Sequence, residues 1–97
     1  MDCMFYGCEL LKELDLNNFQ TSLVENMNGL FNKCLSLTSL NIDNFNTSLV
    51  KTMGNMFNSC QSLEFLNLSH FDTSSLENVI IMFIVFCPIY FAKAIIV

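Results

Sequence analysis

The doublets Met4-Phe5, Leu30-Phe31, Met56-Phe57 and Met82-Phe83 recur at a spacing of 26 residues. This period constrains the fold more than anything else in the chain. A 26-residue unit cannot bury its own apolar face and must stack on copies of itself. Three units follow: 5–30, 31–56 and 57–82. Seven columns are identical in all three: Phe5/Phe31/Phe57, Cys8/Cys34/Cys60, Leu11/Leu37/Leu63, Leu14/Leu40/Leu66, Phe19/Phe45/Phe71, Thr21/Thr47/Thr73 and Ser22/Ser48/Ser74. Four more stay apolar: Leu16/Ile42/Leu68, Val24/Val50/Leu76, Met27/Met53/Val79 and Leu30/Met56/Met82.

Each unit carries two periodicities. Leu14 and Leu16, then Leu40 and Ile42, then Leu66 and Leu68 alternate as in a short strand with one face inward. After Phe19 the spacing changes. Val24, Met27, Leu30 and Phe31 fall at i, i+3, i+6 and i+7, one face of a short helix. Ser22 is placed to cap it. Ser22-x-x-Glu25 and Ser74-x-x-Glu77 fit a capping box, which Lys51 leaves incomplete in the middle unit. The expected fold is α/β: a leucine-rich-repeat-like solenoid over 1–83, with parallel strands on one side and short helices on the other. Strands are expected near Asp15, Asn41 and Asn67, helices over 22–31, 48–57 and 74–83, and right-handed connections between them.

The run Met-Phe-x-x-Cys-x-x-Leu-x-x-Leu-x-Leu-x-x-Phe-x-Thr-Ser-x-Val-x-x-Met resembles the BspA-like leucine-rich repeat of mycoplasma surface lipoproteins and protist surface proteins. The likeness covers residues 1–83, with local departures at His70, Ser75 and Val79. It implies an extracellular or cell-surface setting, with adhesion and binding to host or matrix protein or glycan.

Four Lys+Arg against nine Asp+Glu give a net charge of −5, the wrong sign for tracking a phosphate backbone, so no nucleic-acid partner is expected. Nor is an enzyme expected. His70 is the only histidine and stands in the column of Asn18 and Asn44, a polar surface or turn position. No nucleophile–base set, phosphate loop or zinc motif accompanies it, and no cofactor or metal is expected. A weak calcium site beside Asp15 and Asp43 is the lesser alternative to a solvated polar face.

Of the five cysteines, Cys8, Cys34 and Cys60 form one core column, where a free thiol behaves as a small buried hydrophobe. Helix-side layers about 10 Å apart would exceed the ~7 Å Cα limit of a disulfide. Disulfide or metal remains the minor alternative. Asn46-Thr47-Ser48 and Asn67-Leu68-Ser69 match the glycosylation triplet, but such triplets arise easily among 12 asparagines.

With Leu14 and Leu16 inward, alternation turns Glu13, Asp15 and Asn17 outward. Their equivalents are Ser39, Asn41 and Asp43, then Phe65, Asn67 and Ser69. These nine positions form the candidate ligand-binding face, because the repeat does not fix their identities. Phe65 is its one large apolar residue and the candidate anchor, against the plainer alternative of an exposed residue without a role.

Met1 falls in the column of Met27 and Met53, so the chain is expected to be a fragment of a longer protein. Seventeen of the 19 residues in 79–97 are hydrophobic, interrupted by Pro88 and Lys93. Three readings of the tail, 84–97, stay open: a membrane anchor, a degenerate fourth repeat, or a non-native reading frame. The principal expectation is a non-catalytic adhesive module, with a structural spacer as the alternative.

Overall fold

A computed structural model describes residues 1–64, 66 and 68–77. The expected strand around Asn67, the 78–83 part of the third expected helix and the 84–97 tail lie outside the described residues, as do Phe65 and Cys87.

Among the described residues two strands are regular, β1 (Glu13–Asp15) and β2 (Ser39–Asn41). They pair in parallel, Glu13 with Ser39, Leu14 with Leu40 and Asp15 with Asn41. The register is therefore 26, the sequence period. Leu16 N–H extends the pairing to Asn41 C=O at 2.9 Å, and Thr38 N–H reaches Lys12 C=O at 2.9 Å. A further parallel bridge joins Asn26 to Thr52.

No helix occupies 22–31, 48–57 or 74–77. The reason lies in how the backbone amides are shared. The amides of Met27, Gly29, Phe31 and Lys33 donate to the carbonyls of Thr52, Gly54, Met56 and Asn58 at 2.9, 2.7, 2.9 and 2.8 Å. One unit earlier, Cys3, Phe5 and Gly7 reach Asn28, Leu30 and Asn32 in the same way. The intervening amides close tight turns within the unit, Asn32 to Gly29 at 3.1 Å and Cys34 to Phe31 at 3.2 Å. Every second amide thus points to the neighbouring unit, where an α-helix would keep it within the segment.

Two columns of left-handed backbone enforce this alternation. Cys3, Gly29 and Asn55 have φ of 54°, 61° and 54°, and Gly7, Lys33 and Ser59 have φ of 73°, 62° and 63°. Four of the six are not glycine, although an L-residue in this region carries a penalty of roughly 1–2 kcal/mol. Gly29 has a second constraint: a Cβ there would sit 3.0 Å from Cys3 Sγ. The i, i+3, i+6, i+7 spacing is real, but it is the spacing of successive turns.

The repeated columns become ladders. The rings of Phe5, Phe31 and Phe57 stack with centroids 5.9 and 5.6 Å apart and planes tilted by only 7° and 15°. Met27 and Met53, Cys34 and Cys60, Leu37 and Leu63, and Leu16, Ile42 and Leu68 are buried around them. First-unit members are more open because their unit has a neighbour on one side: Phe19 is 39% exposed, Phe45 4%.

Threonine supplies the polar link. Thr47 Oγ1 donates to Asp72 C=O at 3.0 Å and accepts from Asp72 N–H at 2.8 Å. Thr21 makes the same pair of bonds with Asn46, at 3.3 and 2.8 Å. Both threonines are buried. The cap expected of the serines is made by their neighbours instead, since Asn46 and Asp72 accept the amides of Ser48 and Ser74. Lys51, which breaks the expected capping box, bonds Glu25 at 3.0 Å and also lies in the field of Glu77. A Glu25–Lys51–Glu77 alternation across the units results.

Thr47→Val keeps the shape and leaves both backbone groups of Asp72 unpaired. It is expected to cost about 1–3 kcal/mol in urea unfolding. Thr47→Ser, which keeps the hydroxyl, should lose less; equal stability of Val and wild type would contradict the role. Phe45→Ala should cost about 3–5 kcal/mol in the same assay.

Candidate functional site

The strand pair brings four of the nine expected face residues together. Glu13, Asp15, Ser39 and Asn41, with the edge of Leu14, line an open concavity of about 490 Å³. Asp15 and Asn41 have a local duty as well. Asp15 Oδ1 accepts Asn17 N–H at 2.9 Å, and Asn41 Oδ1 accepts Asp43 N–H at 3.1 Å, so each fixes the turn that ends its strand. Glu13 and Ser39 make no such side-chain bond among the described residues. Asn17 is half-buried, and its carbonyl accepts Asn44 Nδ2 at 3.1 Å. Asn17, Asp43 and Ser69 do not line this concavity, although Asp43 and Ser69 are exposed. Phe65 and Asn67 lie outside the described residues. The lining carries two carboxylates, a hydroxyl and an amide and no cation, a surface suited to hydrogen bonding.

The cysteine column has a duty that sequence reasoning missed. Cys34 Sγ donates to Phe5 C=O at 3.2 Å, and Cys60 Sγ to Phe31 C=O at 3.0 Å, each reaching the preceding unit. Burial, with the neighbouring Cys8 adding to it, pushes the Cys34 thiol up to about 11. The thiol is therefore held protonated and donating. Cys3, Cys8, Cys34 and Cys60 are all free. The layer argument against disulfides needs correction: phenylalanine rings 5.9 and 5.6 Å apart on this side show turn layers far closer than helix layers. Among the described residues no three His, Cys, Asp or Glu side chains gather as a metal site, the surroundings of Asp15 and Asp43 included.

His70 also ties units together. Its Nε2 lies 3.0 Å from Ile42 C=O, and its ring stands edge-on to Phe71 at 5.1 Å. Asn44, in the same column, does the equivalent one unit earlier. In the Asn46-Thr47-Ser48 triplet, the Asn46 side chain holds Ser48 N–H at 3.0 Å and Thr47 is buried. The signal for these links was present in the sequence: identical Thr and Cys columns with no helix or disulfide to require them.

Residues 1–87 match the family described as Mycoplasma protein of unknown function, DUF285. The chain belongs to this family. The match spans all three 26-residue units of the DUF285 chain. No curated protein and no solved structure matches it. Among its described residues no helix is long and apolar enough to cross a membrane.

The buried thiol gives this DUF285 chain a pH signature. Cys34 is raised from 9.0 to about 11 in the fold, so its contribution is complete below pH 9 and is lost as pH rises toward 11. A rise of that size is worth about 2–3 kcal/mol. Urea midpoints measured across that window should fall less steeply in Cys34→Ser, which retains a donor but does not titrate there. Superimposable profiles would show that the thiol does not carry the effect.

Proposed function

We propose that this DUF285 chain is a non-catalytic binding module of the BspA-like type. In this reading it is a leucine-rich-repeat-like solenoid whose strand face adheres to a host or matrix protein or glycan. The observation that carries it is a contrast in how polar side chains are used. Thr21, Thr47, Cys34, Cys60, Asn44 and His70 are engaged in tying one unit to the next. Glu13 and Ser39 have no such engagement, yet they stand side by side across the sheet over an open concavity. Side chains that the fold does not use are the ones free to meet a ligand. Phe65 would be the apolar anchor of the same face. Such a module belongs at the cell surface or outside the cell, with the hydrophobic tail as a candidate membrane contact.

A structural spacer is the second reading, favoured by the number of polar columns spent on unit-to-unit links. The test is retention of the purified chain on surfaces coated with extracellular-matrix protein and on a glycan panel. Ser39→Arg and Phe65→Ser, each checked for an unchanged melting temperature, should lower retention at least about tenfold, a loss of about 1.4 kcal/mol. Retention that these variants leave intact would remove the strand face as the site. Failure to bind any surface would favour the spacer.

A further inference from the structure

Asn28-Gly29 is the one Asn-Gly dipeptide in a chain of 12 asparagines. In an unrestrained chain this pair is chemically labile. Glycine has no side chain to keep its amide nitrogen from reaching the asparagine Cγ, and its backbone turns freely into the required geometry.

In the fold, a single residue of the next unit holds both reacting groups. Gly29 N–H donates to Gly54 C=O at 2.7 Å, and Gly54 N–H donates to Asn28 Oδ1 at 2.6 Å. The second bond draws electron density from Cγ and readies it for attack. The first bond restrains the attacker: it keeps the Gly29 nitrogen protonated and aimed at another unit, with φ fixed at 61°. An open concavity of about 350 Å³ adjoins the pair, lined by both residues together with Cys3, Asn32, Gly54 and Asn55, so water has access.

We propose that Asn28 is a latent self-modification site, held unreacted by the Gly54 backbone and released when the third unit lifts from the second. In the reaction the Gly29 nitrogen loses its proton and forms a bond to Asn28 Cγ. The bond from Cγ to the side-chain nitrogen breaks, and that nitrogen leaves as ammonia carrying the proton. Water then opens the five-membered imide at one carbonyl or the other, giving aspartate or isoaspartate at position 28. No other reactant is needed. The isoaspartyl product inserts a methylene into the backbone just before Gly29. That displaces the Gly29 and Phe31 amides from the carbonyls of Gly54 and Met56, so a unit that has opened and reacted cannot re-pair in register. The modification is a one-way record of opening, independent of what the strand face binds.

The test is peptide mapping by mass spectrometry of the full chain, incubated at mildly alkaline pH in native buffer and in concentrated urea. Conversion at Asn28 should be at least about tenfold slower in native buffer, as expected for a reaction that waits on local opening. Thr47→Val, which loosens the third unit from the second, should raise the native rate and leave the urea rate unchanged. If that variant does not fold, its two rates should converge on the urea value, which is the same coupling at its limit. Equal wild-type rates in the two conditions, no conversion in urea, or a native rate indifferent to Thr47→Val would each overturn the proposal.

Discussion

The alternation of amide direction between Met27 and Lys33 governs the described structure. Met27, Gly29, Phe31 and Lys33 send their N–H groups to the next unit, while Leu30, Asn32 and Cys34 close turns inside their own. A buried backbone group must be paired somewhere, and a 26-residue unit without helices has too few partners of its own. Each unit therefore completes its hydrogen bonding only against a copy of itself in register. The left-handed residues at 3, 29 and 55 and at 7, 33 and 59 follow from this requirement, since they reset the backbone so that successive amides face opposite ways. The mild strain of Lys33 and Ser59 is carried by the ladder they make possible.

This requirement also accounts for the strictness of the repeat. A register of 26 places Phe over Phe, Thr beneath the backbone of Asn46 or Asp72, and each thiol under the carbonyl of a preceding phenylalanine. A slip by one residue would put apolar side chains opposite polar ones on every ladder at once. Glu25, Lys51 and Glu77 place opposite charges next to one another at the same register. That exposed alternation contributes little energy and disfavours pairing the first unit directly with the third.

The parallel pairing, its register and the inward columns were legible because they depend on which residues recur, and recurrence is visible in the letters. The absence of helix over 22–31 and 48–57 was not. Val24, Met27, Leu30 and Phe31 have helical spacing, and nothing local shows that Gly29 N–H will be claimed by Gly54 rather than by a residue four earlier. The roles of Thr47 and Cys34 were hidden for the same reason, since their partners are 25 to 29 residues away. The outward positions Glu13, Asp15, Ser39 and Asn41 followed from strand alternation alone and do line one concavity. The turn-fixing duty of Asp15 and Asn41 depends on where the strand ends, a local geometry that alternation does not specify.

Unit-to-unit hydrogen bonding through alternate amides is the central claim, and scalar couplings across hydrogen bonds, measured by NMR on isotope-labelled protein, test it most directly. The account predicts couplings from the amide nitrogens of Gly29, Phe31 and Lys33 to the carbonyl carbons of Gly54, Met56 and Asn58. Couplings from those amides to carbonyls four residues earlier would mean a helix and would contradict it.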